Sequence, residues 1–386
     1  MSIVVTAASP ATAIDRPIRV MVVDDAIVVR RLLTRWISAE RDMMVAACAC
    51  TGREAVQQVE DCDPDVVVLD VDMPELDGIS ALPLLLKKKR DLVVIMASTL
   101  TRRSAEVSLR ALSLGAADYV PKPEAAPDTS TSLAFHRELI DKIRNLGHRG
   151  RLLARQGTLG AVSHQPPPVP RRRTNLPQTE TAPFSLRPFA ATLPRVLLIG
   201  SSTGGPQALS TLIGQIGATI ERAPILITQH MPATFTTVLA EHLTRVSGRR
   251  VGEAEHDDPV VAGGVYVAPG GRHMRVVRGR NGPAIALGDD PPFNFCKPSV
   301  DPLLSSAAQV WGSASLALVL TGMGCDGTRG AADIAAAGGS VIAQDEATSV
   351  VWGMPRSAAH AGLCSAVLPL CQIAEKVNRL FSGDRA

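Results

Sequence analysis

The sequence predicts two α/β domains, each built around a mainly parallel sheet with helices on both faces. In two separate stretches, short runs rich in Val, Ile and Leu alternate with amphipathic segments at the spacing of strand–helix units. A segment rich in Pro and Arg lies between the two stretches. Aromatic residues make up only 3% of the chain, as expected for buried parallel strands made of aliphatic residues.

The length of 386 residues fits two or three folded units. We predict an N-terminal tail at residues 1–17, a first domain at 18–147, a Pro/Arg-rich linker at 148–194 and a second domain at 195–386. Eight prolines fall within the linker, and proline removes a backbone donor and fixes φ. We therefore expect neither a helix nor a central strand there.

The first domain contains five predicted strand–helix units, the pattern of a doubly wound parallel sheet. The predicted strands are residues 19–23, 45–49, 66–69, 93–96 and 119–120, and the clearest helices are 27–38, 102–114 and 133–146. In the second domain, strands are predicted at 196–199, 225–228, 316–320 and 340–343, with a helix at 206–213. Its middle, residues 251–286, has short runs separated by glycine and predicts antiparallel β-hairpins.

Charge and cysteine content exclude several classes of protein. The net charge is +3, but residues 149–195 carry eight Arg against one Glu, so the basic excess belongs to the linker and indicates no nucleic-acid partner. The seven cysteines show no zinc-finger spacing, and we expect buried, reduced thiols. Without a signal peptide or an apolar run of about 18 residues, we expect a cytoplasmic protein with no membrane insertion.

Acidic residues end two strands of the first domain. Asp24 and Asp25 follow the first strand, and Asp70 ends the third. The carboxyl ends of parallel strands meet at one sheet edge, so these carboxylates would repel one another unless a cation such as Mg²⁺ bound them. Ser98 ends the fourth strand and Lys122 follows the fifth. A hydroxyl and an ammonium at such a site are suited to the oxygens of a phosphoryl group.

The first domain resembles a two-component receiver domain, which has a flavodoxin-like fold. The motifs are Val-Val-Asp-Asp at 22–25, Leu-Asp-Val-Asp-Met-Pro at 69–74, Ala-Ser at 97–98 and Tyr-Val-Pro-Lys-Pro at 119–123. The resemblance implies that a cognate histidine kinase supplies phosphate to Asp70. The other roles implied are a Mg²⁺ site formed by Asp24, Asp25, Asp70 and the backbone carbonyl of Asp72, a switch pair of Ser98 and Tyr119, and a phosphoryl contact from Lys122. Thr99 is the alternative to Ser98, since a slip of one residue exchanges them.

A glycine-rich turn, Gly-Ser-Ser-Thr-Gly-Gly at 200–205, connects a strand to a helix in the second domain. Taken alone, it predicts a phosphate cradle and a nucleophile elbow about equally well. His230 follows the next strand and Asp326 follows a later one. Each is more often structural when considered singly, but a serine, an imidazole and a carboxylate at strand ends of one sheet favour nucleophilic catalysis.

The second domain resembles the catalytic domain of the chemotaxis protein-glutamate methylesterases. The motifs include Ile-Gly-Ser-Ser-Thr-Gly-Gly at 199–205, Gln-His-Met-Pro at 229–232, Pro-Ser-Val-Asp at 298–301 and Leu-Thr-Gly-Met-Gly-Cys-Asp-Gly at 320–327. The resemblance implies that Ser202 is the nucleophile, His230 the base and Asp326 the orienting acid. It also implies an oxyanion site formed by backbone N–H groups of Thr203 and Met323.

This resemblance implies a phosphorylation-activated hydrolase that removes methyl esters from glutamate side chains on the cytoplasmic helices of chemoreceptors. Deamidation of receptor glutamines is the second activity implied, and the esterase reaction needs no cofactor. We further hypothesise that the unphosphorylated receiver covers the Ser202 edge, so that a fragment of residues 195–386 exceeds the resting enzyme in activity.

The sequence departs from the family at two positions and leaves two rival functions. Cys325 stands where Asn is usual and Trp352 where Phe is common; a Cys325 nucleophile is disfavoured because no base is predicted beside it. We expect structural roles for His273 and Asp301. A DNA-binding regulator would need a basic recognition helix, and none is predicted. A non-catalytic adaptor or nucleotide-binding protein using residues 200–205 remains the alternative, and it would tolerate Ser202→Ala.

Overall fold

The structure is a computed structural model that describes residues 16–122, 129–159 and 184–384. The first domain is a five-stranded parallel sheet with helices on both faces, as predicted. Its elements in chain order are β1 (Ile18–Val23), α1 (Ile27–Ala39), β2 (Met43–Ala49), α2 (Gly52–Cys62), β3 (Val66–Asp70), α3 (Gly78–Lys88), β4 (Val93–Ser98), α4 (Arg102–Ser113), β5 (Asp118–Pro121) and α5 (Thr129–Leu159).

The strand order in the first sheet is β2-β1-β3-β4-β5. Successive strand residues enter two different apolar clusters: Met21 and Val23 face one side, and Val20 and Val22 face the other. This alternation buries both faces of the sheet under helices. The order also places the carboxyl ends of β1 and β3 side by side. Asp24 and Asp25 follow the end of β1, and Asp70 is the last residue of β3.

Helix α5 is much longer than the helix predicted at residues 133–146, and it continues through the first part of the predicted linker. The expectation of no helix at 148–194 was therefore wrong for residues 148–159. The prolines begin only at Pro166, and the intervening residues include good helix formers such as Leu, Ala, Arg and Gln. Arg151 on this extension donates hydrogen bonds to Asp65 Oδ2 and to the carbonyl of Pro17, both at 2.6 Å.

The other parts of the linker divide into two groups. Residues 160–183, which include the three consecutive arginines at 171–173, lie outside the described residues, as does the tail up to residue 15. Residues 184–194 lie against the second domain: the Arg187 N–H donates to the carbonyl of Cys364 at 2.8 Å, and the Ala190 N–H donates to Ser340 Oγ at 2.9 Å.

The second domain is a three-layer α/β unit with an added hairpin. Its elements in chain order are β6 (Val196–Ser201), α6 (Gly205–Ile213), α7 (Gly217–Arg222), β7 (Ile225–Gln229), α8 (Ala233–Ser247), β8 (Val251–Glu253), β9 (Val265–Val267), β10 (His273–Gly279), β11 (Gly282–Gly288), α9 (Val300–Trp311), β12 (Ser315–Val319), α10 (Thr328–Ala336), β13 (Ser340–Gln344), α11 (Met354–His360), β14 (Ala366–Leu368) and α12 (Leu370–Ser382). The main sheet is parallel throughout, in the order β14-β13-β12-β6-β7-β9-β8.

The hairpin prediction for residues 251–286 was only partly right. β10 and β11 form an antiparallel hairpin, with His273 opposite Gly288. β8 and β9 instead extend the main sheet in parallel, with Val251 opposite Val265. Glycines in the sequence indicate turns, but the pairing partner of a three-residue strand is decided by the neighbouring strand, here β7.

All seven cysteines are free thiols, but the prediction that they are buried was wrong for most of them. Only Cys364 is buried, whereas Cys48, Cys325 and Cys371 are exposed. Cys48 lies on the edge strand β2 and Cys371 in the first turn of α12, where a small apolar side chain is tolerated at the surface. Within the described ranges, none of the helices combines the length and hydropathy that a membrane crossing requires.

The two domains are docked through the α4–β5–α5 face of the first. Helix α4 packs against α6 and α8. The ring of Tyr119 on β5 stacks on Phe235 of α8, with centroids 4.6 Å apart and planes at 9°. Val351 and Met323 of the second domain pack against the apolar cluster of the first. The docked face therefore lies against loops that follow strands of the second sheet.

Candidate active site and phosphorylation site

Ser202, His230 and Asp326 lie at one edge of the second sheet. They follow β6, β7 and β12, and these three strands are adjacent in the order β12-β6-β7. The crossover helices of a parallel sheet bring the carboxyl ends of its strands to the same edge. In this way Ser202 and Asp326 lie in one site, although they are 124 positions apart in the chain.

The turn carrying Ser202 depends on glycine and on Gln229. Gly204 has a φ of 75°, which only glycine adopts readily. A Cβ on Gly205 would lie 1.9 Å from Gln229 Oε1, so this position also requires glycine. The Gln229 amide donates to the Ser202 carbonyl at 2.9 Å, and Ser201 Oγ donates to Gln229 Oε1 at 2.7 Å. Gln229 therefore joins the ends of β6 and β7. Its place beside His230 in the motif was the only signal for it.

The imidazole of His230 is held between a carboxylate and a thiol. Its Nε2 lies 2.7 Å from Asp326 Oδ2, and its Nδ1 lies 3.3 Å from Cys296 Sγ. Within the described part of the chain, the Ser202 hydroxyl has no hydrogen-bond partner. The structure therefore brings His230 and Asp326 into direct contact, and it places Ser202 on the neighbouring strand end without a bond to the imidazole.

Asp326 is the most extensively bonded group of the site. It is 2% exposed and accepts hydrogen bonds from Ser299 Oγ and the Val300 N–H, both at 2.7 Å. Burial raises the pKa of Asp326, but the hydrogen bond and charge of His230 lower it more, so that this pKa lies below its usual range. Asp326 is consequently ionised and able to orient the imidazole. Ser299 was missed by sequence reasoning, although it lies in the Pro-Ser-Val-Asp motif.

The protonation of His230 responds to both of its neighbours. Burial lowers the pKa of His230, but the neighbouring Cys296 and the hydrogen bond to Asp326 raise it by more, to about 10. A ring with this pKa carries a proton at neutral pH and cannot accept another from a serine.

Two further motif residues, His273 and Asp301, make hydrogen bonds beside the site. His273 is fully buried; its Nδ1 accepts from the Ser299 N–H at 3.2 Å, and its Nε2 lies 3.1 Å from the Pro291 carbonyl. Asp301 accepts from the Gly330 N–H at 2.8 Å, and burial followed by the charge of Asp326 raises its pKa to about 6. Both contacts fit the structural roles expected from the sequence.

The N–H groups of Thr203 and Met323 have no acceptor among the described residues. Both residues lie in loops beside Ser202, and a Cβ on Gly322 would lie 2.8 Å from Ser202 Cβ. That these two donors bind an oxyanion stays a prediction. Cys325 is exposed and, within the described chain, has no hydrogen bond to His230. Trp352 donates to the Gln344 carbonyl at 2.9 Å, which is a packing role.

The acidic residues of the first domain form a second cluster at the edge of its sheet. Carboxylate oxygens of Asp24, Asp25 and Asp70 lie within 4.8 Å of one another. Lys122 Nζ lies 2.5 Å from Asp24 and 2.7 Å from Asp70. Burial raises the pKa of Asp70 to about 6, with Lys122 acting in the opposite direction. These oxygens are the donors that Mg²⁺ prefers. Asp72 follows β3 with an exposed side chain.

The remaining receiver residues lie beside this cluster or at the domain interface. Ser98, at the end of β4, is buried and accepts a hydrogen bond from Ser108 Oγ at 3.0 Å. Thr99 is exposed and its hydroxyl lies 2.8 Å from Ser104 Oγ at the start of α4. Tyr119 is 4% exposed and stacks on Phe235 of the other domain. The structure thus links the position of Tyr119 directly to domain docking.

Comparison with known proteins extends these observations. Residues 197–377 match the family model described as CheB methylesterase, and residues 20–133 match the response regulator receiver domain. A protein-glutamate methylesterase/protein-glutamine glutaminase of group 2 operon from Bradyrhizobium diazoefficiens is 59% identical to this chain over 96% of both chains. The chain belongs to the CheB methylesterase family.

A less similar relative matches this chain over nearly the full length, and a solved structure matches its second domain. A protein-glutamate methylesterase/protein-glutamine glutaminase from Paramagnetospirillum magneticum is 49% identical over 96% of this chain and 98% of its own. The crystal structure of the Thermotoga maritima CheB methylesterase catalytic domain, 40% identical, covers 49% of this chain and all of that one, with a TM-score of 0.47. The two family-model matches confirm the receiver and methylesterase domains predicted from the sequence.

Proposed function

We propose that this CheB family member hydrolyses methyl esters of glutamate side chains on chemoreceptor cytoplasmic helices, under the control of phosphorylation at Asp70. The observation that carries the catalytic part is the 2.7 Å contact between His230 and Asp326 beside the Ser202 turn. Base, orienting acid and nucleophile are the components that ester hydrolysis through an acyl-enzyme requires.

The contacts suggest a role for each residue. Ser202 Oγ attacks the ester carbonyl and transfers its proton to His230. Because Nε2 is held by Asp326, Nδ1 is the nitrogen that receives this proton. The free N–H groups of Thr203 and Met323 stabilise the oxyanion, and methanol leaves with the proton from the imidazole. Water activated by the same nitrogen then releases the glutamate from Ser202.

Deamidation of glutamine is a second reaction that the same groups support. The side-chain amide of glutamine has the same acyl carbon as the ester, with ammonia in place of methanol as the leaving group. The imidazolium of His230 can protonate this poorer leaving group. The Bradyrhizobium relative carries both activities in its name, which favours both for this chain.

The receiver cluster supports phosphorylation by a cognate histidine kinase. Asp24, Asp25, Asp70 and the backbone carbonyl of Asp72 would hold Mg²⁺, which when bound offsets the negative charge of the phosphoryl group. Lys122 lies 2.7 Å from Asp70 and can bind a phosphoryl oxygen. Ser98 and Tyr119 then respond to the new charge, the hydroxyl at the site and the ring at the domain interface.

Docking explains how the receiver can restrain the esterase. Asn145 on α5 donates from Nδ2 to Met323 Sδ at 3.2 Å, and the Arg137 guanidinium lies 3.9 Å from the ring centre of Phe295. Phe295 immediately precedes Cys296, which contacts His230. Helix α5 thus touches both an oxyanion loop and the loop beside the base. Loosening this docking after phosphorylation would free Nδ1 for Ser202.

The decisive experiment measures methanol release from a methylated receptor, with and without a small-molecule phosphodonor. We expect stimulation of the wild-type enzyme, no release by Ser202→Ala, and no stimulation of Asp70→Asn. Asp77→Asn is the matched control, because Asp77 caps α3 through the Ser80 N–H and Asn caps equally well. Methanol release by Ser202→Ala at the wild-type rate would favour the adaptor or nucleotide-binding alternative.

A further inference from the structure

Cys296 supplies no reacting group to the ester hydrolysis proposed above, although its sulfur contacts the base His230. Of the seven cysteines, Cys296 is the one whose sulfur lies against this imidazole, at 3.3 Å from Nδ1. The opposite ring nitrogen is held by Asp326 at 2.7 Å. Sulfur, imidazole nitrogen and carboxylate oxygen, one from each residue, lie within 4.8 Å of one another.

We propose that Cys296 and His230 form a binding site for Zn²⁺, with Asp326 fixing the imidazole from its other nitrogen. Thiolate and imidazole are preferred zinc ligands, and bond lengths of about 2.3 Å to sulfur and about 2.0 Å to nitrogen place tetrahedral ligands roughly 3.5 Å apart. The observed separation of 3.3 Å between Sγ and Nδ1 is close to that value. The separation of these two donor atoms is therefore compatible with a shared ion.

The surroundings favour a cation at this position. Asp326 and Asp301 are both buried within two hydrogen-bond steps of the site, and Asn294 bridges them from Nδ2 at 3.4 Å and 3.2 Å. A carboxylate that hydrogen-bonds the distal nitrogen of a metal-bound histidine is a common supporting arrangement in zinc proteins. Asp326 already occupies this place relative to His230.

The donor set selects zinc over the ion expected in the receiver. Among the described residues, two groupings of three candidate ligands occur, and the other consists of Asp24, Asp25 and Asp70. That cluster offers only hard oxygens, which suit Mg²⁺, whereas thiolate sulfur suits Zn²⁺. Binding of Zn²⁺ to Sγ and Nδ1 displaces the one proton that lies between these two atoms, and this proton passes to solvent.

The expected consequence rests on the proposed function. A metal on Nδ1 occupies the lone pair that receives the Ser202 proton, so Zn²⁺ should inhibit the esterase reversibly. Two ligands from the protein leave the other coordination positions to water, and the site is partly open, with His230 12% exposed. We therefore expect an inhibitory site that a chelator empties readily.

The binding test uses Co²⁺ as a spectroscopic probe on the full-length chain. Thiolate ligation of Co²⁺ gives a charge-transfer absorption in the near ultraviolet, which carboxylate ligation in the receiver does not. We expect this band in the wild type, its displacement by Zn²⁺ and its persistence in excess Mg²⁺. The band should disappear in Cys296→Ser and persist in Cys371→Ser, a matched control with an exposed thiol on α12.

The inhibition test uses the same variants in methanol release. Zn²⁺ should inhibit the wild type and Cys371→Ser, a chelator should restore activity, and Cys296→Ser should need at least about tenfold more Zn²⁺. No cobalt–thiolate band in the wild type, or an unchanged band in Cys296→Ser, would overturn the metal site. A Cys296-dependent band in a protein without any esterase activity would support the metal site and overturn the proposed function.

Discussion

The two sheet edges of this molecule share one topology and differ in how their side chains balance charge. At the receiver edge, three carboxylates lie together, Lys122 pairs with two of them, and burial raises the pKa of Asp70 to about 6. At the catalytic edge, hydrogen-bond donors surround one carboxylate, and the pKa of Asp326 is lowered. The receiver edge thus has too few positive charges for its carboxylates and is suited to binding a cation. The carboxylate of Asp326 already accepts hydrogen bonds from its neighbours and is suited to orienting a base.

This difference shows that position at a strand end decides where a functional group lies, but the neighbouring loops decide its chemistry. Asp70 ends β3 and faces other acids from β1. Asp326 follows β12 and meets the N–H groups at the start of α9. The start of a helix stabilises an anion through these donors and its dipole. We therefore expect the receiver edge to act by binding a cation and a phosphoryl group, and the catalytic edge to act by orienting a base.

The largest expected effect is the loss of hydrolysis in Ser202→Ala. Removing the nucleophile should lower kcat by at least about a thousandfold, because the remaining groups cannot form an acyl-enzyme. Phosphate uptake at the receiver edge should remain at the wild-type level, and this is measured in parallel with a radiolabelled phosphodonor. A parallel loss of phosphate uptake would show that the two edges are not chemically separate.

Asp326→Asn should lower kcat by about a hundredfold to ten-thousandfold. The amide keeps much of the shape but no longer stabilises the imidazolium, and it can hold the ring in the wrong tautomer. Steady-state kinetics with methylated receptor provides the measurement, and circular dichroism checks that the variant is folded. A rate within a factor of about two of the wild type would remove Asp326 from the proposed mechanism.

The resting enzyme should become more active as pH rises. Hydrolysis needs a neutral His230, and a pKa of about 10 leaves a neutral fraction that grows with pH over the neutral range. We expect kcat/KM of the unphosphorylated enzyme to rise about tenfold per pH unit between about pH 7 and 9. Phosphorylated enzyme should show a shallower slope, because undocking separates Cys296 from the ring. Ser202→Ala measures the uncatalysed background, and equal slopes for both forms would contradict the idea.

Magnesium should stabilise the receiver edge and leave the catalytic edge unchanged. At a concentration about 100 times its Kd, Mg²⁺ adds about 2.7 kcal/mol to the free energy of unfolding of the unit that binds it. Urea unfolding with Mg²⁺ or with EDTA measures this change. Asp25→Asn should reduce the gain, whereas Asp77→Asn should preserve it. A gain that survives Asp25→Asn would argue against this ligand set.

The smallest effect is expected at the surface contact between the domains. Arg102 on α4 donates to Glu241 on α8 at 2.7 Å, and both side chains are largely exposed. Exposed ion pairs contribute little, so Arg102→Ala should raise unphosphorylated activity by less than about threefold. Arg103→Ala is the matched control, since the neighbouring Arg103 forms no ion pair among the described residues. Lower activity in Arg102→Ala would mean that the docked form is the active one.

Much of the candidate site could be predicted because its residues follow strands. Ser202, His230 and Asp70 each stand directly after or at the end of an apolar run, so the periodicity that predicts the strand also locates the residue. Cys296 and Asn294 could not be assigned in this way. Cys296 and Asn294 lie in an irregular loop where Asn294 and Phe295 have positive φ, and no periodic pattern predicts where such a loop folds.

The sequence by itself determined the two parallel sheets, the order of the domains and the strand-end residues, because these depend on local hydrophobic periodicity and on short motifs. Tertiary structure alone decided that β9 joins the main sheet and that Cys296 lies against His230. It also decided that the receiver packs its Tyr119 face on α8. These outcomes depend on contacts between residues far apart in the chain, whose free energy no local pattern records.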